Sequence, residues 1–290
     1  MAIPLRVEKI VRFAEISADW VLIQVSIDWN GKPLLLFEEG RLPFPLTSGE
    51  ELNHWYQTIP TAHHLVRLDG NKWTAVEVSN NIGVKITSFA QPLGDGWLLI
   101  EARGGIGRLC SQDGIHLTTI DLGNAIQDVQ TTADGYIWVS YFDEGVFGNG
   151  IGTNGLVCFD VEGKDIFRFA EFAETANLPH IDDCYAINVS GNETWLSYYS
   201  DFPLVCLSDF KLQTLKEKFG SFSAFAVRGN KLLAPPSYQR RSLIEIDLTD
   251  RYEQQLEPID DQSIPLAPFR VAARGAELFL YTEEALYRVL

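Results

Sequence analysis

Leu156-Val157-Cys158-Phe159-Asp160, with the hairpin Asp134-Gly135-Tyr136-Ile137-Trp138-Val139 upstream of it, decides the fold, because the phrase returns along the whole chain. Its variants are Leu65-Val66-Arg67-Leu68-Asp69, Arg108-Leu109-Cys110-Ser111, Leu204-Val205-Cys206-Leu207-Ser208, Leu243-Ile244-Glu245-Ile246-Asp247 and Leu286-Tyr287-Arg288-Val289-Leu290. The shared column stands at 67, 110, 158, 206, 245 and 288, in steps of 43, 48, 48, 39 and 43 residues. Each phrase follows two apolar runs joined by a turn, and a fourth run comes after all but the last. The pair Asp134-Gly135 between β-prone runs is a strong hairpin signal, and Gly191-Asn192 and Gly229-Asn230 stand in the same place in later units. A strand-rich unit recurring every 40 to 50 residues marks an all-β propeller built from four-stranded blades.

Six repeats predict a six-bladed β-propeller occupying 1–290 as one domain, with units over about 16–80, 81–123, 124–179, 180–220, 221–265 and 266–290. The sixth unit stops at Leu290 without a fourth strand, while Val7 to Glu15 reads as an orphan strand at the other end. The N-terminal strand is therefore expected to complete the last blade and remove an open edge. Two b-to-c connections are long and should emerge on one face. In the first, Ser48-Gly49-Glu50-Glu51 resembles a capping box and predicts a short helix to about Tyr56. The second, 143–155, contains Gly150-Ile151-Gly152-Thr153-Asn154-Gly155. A dinucleotide fingerprint needs a strand before that string and a helix after it, and here a strand follows. Ile166 to Ala170 is read as a fourth strand.

The 23 Lys and Arg against 39 Asp and Glu leave a net charge of −16, which repels nucleic acid and anionic membrane surfaces. The N-terminus carries no basic segment followed by an apolar one, and no long apolar run occurs, so a soluble cytoplasmic protein is expected. Cys110, Cys158 and Cys206 share the repeat column and should lie in different blades, too far apart for disulfides. With Cys184 they are expected to be buried thiols. No CxxC pair points to a metal.

The phrasing of Asp134 to Val139 followed by Gly155 to Asp160 resembles that of six-bladed propellers of the NHL, SMP-30 and streptogramin-lyase-like group. The segments Asp183 to Asn188 and Tyr198 to Leu204 are similar to a set of bacterial propeller proteins of that class. The resemblance implies a site around the channel mouth, on the face carrying the d-to-a and b-to-c loops. It also implies an alternative activity, a lactonase-like metal-dependent hydrolase or lyase.

Candidate residues follow from placing the units on that face. Asp128 and Asp183 open first strands, while Asp143, Glu144 and Asp201 follow second strands. Converging carboxylates can ligate Ca²⁺ or Mg²⁺, or act as acid and base once desolvated; equally, they cap turns and hydrate a channel mouth. Arg103 and Arg240, with Tyr141 and Tyr198, complete the expected ligand-binding set, since aromatic faces beside charges suit a small polar molecule. Phe142, Tyr199, Tyr238 and Arg241 share the rim, and His180 is the one histidine placed to join it. The reading is a binding scaffold for a small polar ligand, metal or protein partner, with no catalytic residue, cofactor or oligomeric state assigned.

Overall fold

The computed structural model of the chain describes residues 2–39, 62–69, 72–78, 87–236 and 241–290. Four sheets are antiparallel meanders in chain order. The first holds β2 (Trp20–Ile27), β3 (Pro33–Glu39), β4 (His63–Asp69) and β5 (Lys72–Val78). The second holds β6 (Phe89–Leu93), β7 (Gly96–Glu101), β8 (Ile106–Cys110) and β9 (His116–Asp121). The third comprises β10 (Ile126–Thr131), β11 (Ile137–Tyr141), β12 (Leu156–Phe159) and β13 (Asp165–Arg168), and the fourth β14 (Asp183–Ser190), β15 (Glu193–Tyr199), β16 (Leu204–Ser208) and β17 (Lys211–Lys216).

A fifth, eight-stranded sheet is two such meanders joined by the N-terminal strand β1 (Ile3–Arg12). One side contributes β18 (Ala226–Arg228), β19 (Lys231–Ala234), β20 (Leu243–Asp247) and β21 (Glu253–Ile259); the other contributes β22 (Arg270–Arg274), β23 (Glu277–Tyr281) and β24 (Ala285–Val289). The latter half of β1 runs antiparallel to β24, with Val7 opposite Val289 and Arg12 opposite Ala285, filling the expected vacancy. Its first residues do something the repeat did not announce. They pair in parallel with β21, Ile3 opposite Leu256 through Arg6 opposite Ile259. A single strand thus stitches two neighbouring meanders while burying Val7 and Val11.

The repeat phrases end in turn chemistry. Asp160 Oδ1 accepts the N–H groups of Glu162 and Lys164, and Asp247 Oδ1 that of Thr249, satisfying the donors of the c-to-d turns. At the hairpin Asp134-Gly135, Gly135 takes φ +90°, which a side chain at that position would resist. The shared column faces the second strand: Trp97 lies opposite Cys110, Trp138 opposite Cys158 and Trp195 opposite Cys206. These pairs pack against the adjacent sheet; Trp195 and Cys206, for example, meet Leu232, Ala234 and Ile244. Burying each large side chain contributes roughly 1.5 to 3 kcal/mol. Where the column is charged, Arg67 lies over the Trp97 ring, Glu245 pairs with Lys231 at 2.6 Å and Arg288 with Glu277 at 2.9 Å. All four cysteines are buried and free.

Two expected strands end early in helices. The run Ile166 to Ala170 leaves the sheet after Arg168, and Phe169–Ala176 forms α3, following α1 (Phe13–Ile16) and α2 (Asp143–Val146) in the chain. Phe169 and Ala173, four residues apart, bury one helical face, which outweighs the β-propensity of the aromatic run. The N-terminal run likewise turns at Phe13, whose ring is buried edge-on against Phe37 at 6.0 Å. The Gly150–Gly155 string holds a 3₁₀ turn over Ile151–Asn154 before β12, as a strand-flanked loop. The helix expected over 48–56 lies outside the described residues.

Candidate functional site

The first strands β2, β6, β10, β14 and β22, with residues 223–224 ahead of β18, line a common axial channel. Neighbouring first strands belong to different ladders, so their inner backbone groups need other partners. Polar side chains supply them. Gln24 Oε1 accepts the Ala90 N–H at 3.0 Å, and the Ser26 hydroxyl donates to Ala90 O at 3.0 Å. Gln130 donates to Ile187 O at 3.0 Å and accepts the Val189 N–H at 2.8 Å. Asn188 donates to Phe225 O and Gly275 O and accepts the Gly275 N–H.

At the end where these strands finish, Arg274 fills the axis. Its guanidinium donates to Val189 O at 3.0 Å, Ile27 O at 3.2 Å, Gln91 Oε1 at 3.2 Å and Thr131 O. Four first strands therefore share one side chain that is 4% exposed. Burial pushes its pKa down to about 10, opposed by Asp28 and Asp128, so the group stays charged at neutral pH. The carbonyl acceptors and those carboxylates offset the cost of desolvating it.

The opposite end is open. A cavity of about 340 Å³ is lined by Gln127, Phe142, Asp143, Asp183, Tyr185, Ser221 and Ser223. Gln127, Tyr185 and Ser223 also line the axial channel beneath it, about 230 Å³, whose wall includes Asp128. Asp183 opens β14, and burial raises its carboxyl to about 6, with the Asp143 charge adding to the effect. Its Oδ1 is buried without a hydrogen-bond partner. Asp128, deeper and half-buried, is also raised to about 6 by burial, against the opposing effects of the Val129 N–H at 2.8 Å, the Gln130 amide and Arg274.

Beyond the mouth, Tyr199, Asp201, Phe202, Lys218 and Ser221 border an open groove of about 570 Å³. Ser221 lies in both spaces, and Tyr185 stacks on Phe202 at 6.3 Å with planes 18° apart. Tyr199 follows, 5.2 Å from Phe202. A separate cavity of about 370 Å³ lies between Phe13, Trp20 and Phe269, with Arg270 and Glu283 in its wall.

The structure therefore brings Asp128, Asp143 and Asp183 to one connected space and puts Asp201 on the adjoining groove. Glu144 is exposed beside Asp143, whose Oδ1 accepts its N–H, and is not part of the mouth lining. Tyr141 and Tyr198 are fully buried, with hydroxyls donating to Leu122 O and to Pro179 O respectively, and they act as packing. Strand β11 is buried along its whole length and β15 from Thr194 to Tyr198, so neither tyrosine presents a face to the mouth. Arg103 and Arg241 are exposed and line none of these spaces. Arg240 and Tyr238 lie outside the described residues. His180 is exposed and sits 3.0 Å from Asp182. The sequence reading passed over Gln127, Tyr185, Ser221, Ser223 and Arg274. The first four precede or begin inner strands, a positional signal; Arg274 had none. Among the described residues, no three His, Cys, Asp or Glu converge in a metal-holding group. No helix among them is long and apolar enough to cross a membrane.

Comparison with known proteins supports the architecture. The sequence model of the YxzG family matches residues 156–289. No curated protein matches the chain. Among solved structures, a chain of a nidogen/laminin complex superposes with a TM-score of 0.51 at 10% identity, covering 82% of this chain and 80% of its own length. Hsv2 of Kluyvelomyces marxianus gives 0.51 at 9% identity over 90% of this chain and 73% of its own. A KlHsv2 whose loop 6CD is replaced by a Gly-Ser linker gives 0.52 at 8%, over 90% and 74%. The chain thus has a β-propeller fold, built of four-stranded antiparallel units.

Proposed function

We propose that this propeller is a binding scaffold whose channel mouth receives a small polar ligand. The observation that carries the reading is the Asp183 carboxylate. It lines a 340 Å³ cavity, and its buried Oδ1 lacks the hydrogen bond that buried acceptors ordinarily have. A pocket open to solvent, walled by Phe142 and Tyr185 and studded with a few polar groups, has the composition of a small-molecule site. Asp128, Asp143 and Asp183 are its charged members, with Asp201 on the approach.

Six blades are part of the same proposal. In favour of that number, the eight-stranded sheet divides at β1 into two meanders, and the channel wall draws on six first-strand positions, including residues 223–224 ahead of β18. A cytoplasmic setting is proposed from four buried, unpaired thiols.

The alternative, a metal-dependent hydrolase or lyase, draws on the two carboxyls raised to about 6, a range suited to acid–base work. It also asks for a convergent ligand set, which the described residues do not form. Binding therefore ranks first. The test is Ser223→Tyr, which fills the junction of mouth and channel without touching a carboxylate. A screen of polar compounds by thermal shift should find hits on the parent chain that vanish in this variant. Hits that persist unchanged would move the site elsewhere.

A further inference from the structure

The mouth differs from the rest of the axis in the sign of its uncompensated charge. Asp143 and Asp183 line the mouth and Asp128 the channel, while no Lys, Arg or His is among the described residues lining either space. Among the described residues, the buried cation on the axis is Arg274, and it is committed to acceptors at the far end. We infer that the ligand of the mouth carries a protonated amine or guanidinium on an apolar or planar stem, its cationic head at Asp183 and Asp143 and its stem along Tyr185 toward Phe202. This rests on the reading of the mouth as a binding site and names the class of ligand that the site takes.

Three features select that class. An anion would add a like charge to a cavity where Asp143 already disfavours ionisation of Asp183. A neutral sugar could donate a hydrogen bond to Asp183 Oδ1, but would leave the repulsion between the two carboxylates in place. A cationic donor does both jobs at once, as a charge-assisted hydrogen bond. The aromatic faces lead in the same direction. Tyr185 lies in the mouth lining and stacks on Phe202, which continues to Tyr199 at 44% exposure, giving a path of rings on which a guanidinium or an aliphatic stem packs. The overall charge of −16 draws cations toward the chain and raises their encounter rate.

Such a head group belongs to a free polyamine-like molecule or to an Arg or Lys side chain of a partner, and the experiment separates the two. The full-length chain is titrated calorimetrically with agmatine, with the blocked peptide acetyl-Gly-Arg-Gly-amide, and with hexanoate, glucose and Ca²⁺ alone. Saturable binding of agmatine or of the peptide is expected, at least tenfold tighter than hexanoate or glucose. It should weaken at least tenfold in Asp183→Asn and several-fold as salt rises from about 50 to about 500 mM. Agmatine binding ahead of the peptide assigns a free ligand; the reverse order assigns a partner side chain. A thermal melt of Asp183→Asn at or above that of the parent shows that lost binding is not lost folding. Hexanoate or glucose binding as well as agmatine and blocked by Ser223→Tyr would overturn the inference and leave the binding site standing. So would Ca²⁺ binding more tightly than every organic probe. Agmatine binding undiminished in Asp183→Asn would also overturn it, and silence from all probes would sink the site with it.

Discussion

The two ends of the axial channel solve the same electrostatic problem in opposite ways. At one end Arg274 is buried and its donors meet acceptors on four first strands. At the other, Asp183 is held in a cavity with Oδ1 unpartnered and its carboxyl raised to about 6. A fully satisfied buried charge fastens the elements around it; an unsatisfied one is a standing cost that a ligand can relieve. The closed end is therefore where the ring is tied, and the open end is where binding is expected.

Removing the tie should have the largest effect. Arg274→Ala strands the carbonyls of Val189, Ile27 and Thr131 together with the Gln91 amide, and a loss of about 3 to 5 kcal/mol in urea unfolding is expected. A loss below about 1 kcal/mol would show that the axis does not depend on this side chain. Asn188→Ala removes a smaller knot, the three hydrogen bonds with Phe225 and Gly275, and should lower stability by about 1 to 3 kcal/mol in the same assay.

At the open end the sign reverses. Asp183 and Asp128 ionise near pH 6 in the folded chain, against 3.8 ordinarily, so the native state holds more protons between those values. Stability should accordingly fall as pH rises from about 4 to about 6, the opposite of the usual carboxylate behaviour. Asp183→Asn should flatten part of that decline and raise stability at pH 7 by about 1 kcal/mol, a figure reduced for solvent screening at a half-buried group. A steeper decline in the variant would mean that Asp183 is stabilised by ionising. Ser223→Tyr should change stability least, within about 0.5 kcal/mol, because Ser223 is exposed and the added ring enters open space. A large loss there would show that the mouth is packed rather than open.

How far the chain discloses itself is clearest in the Arg-Gly turns. Arg228-Gly229 and Arg274-Gly275 occupy the same place in successive units. Yet Arg228 turns to Ala276 O at 2.7 Å and Val289 O at 3.2 Å, at the junction with the chain's C-terminal strand, whereas Arg274 reaches the axis. No local pattern separates them, because the difference lies in which carbonyls surround each side chain. The carboxylates were more legible. Asp128 and Asp183 begin strands that the repeat places innermost, and Asp143 follows a second strand on the open face. The tyrosines were not, since Tyr141 and Tyr198 stand in aromatic-rich runs that are buried almost throughout, so no pattern of exposure in the sequence marks which side chains reach the rim. Helix α3 was hidden for a similar reason, as Phe169 fits both a strand and a helical face until Ala173 is seen beside it.

The sequence alone determined the repeating four-strand unit, its turns and the Cys column, and it paired the N-terminal strand with the last one. These features follow from period-2 apolar patterning and short-range turn chemistry, which are local. Tertiary structure alone decided that β1 also joins β21, that Arg274 closes the channel and that Asp183 is left without a partner. Those outcomes depend on which groups from distant units share a space, and the burial that raises a carboxyl or calls for a hydrogen bond exists only once the ring has formed.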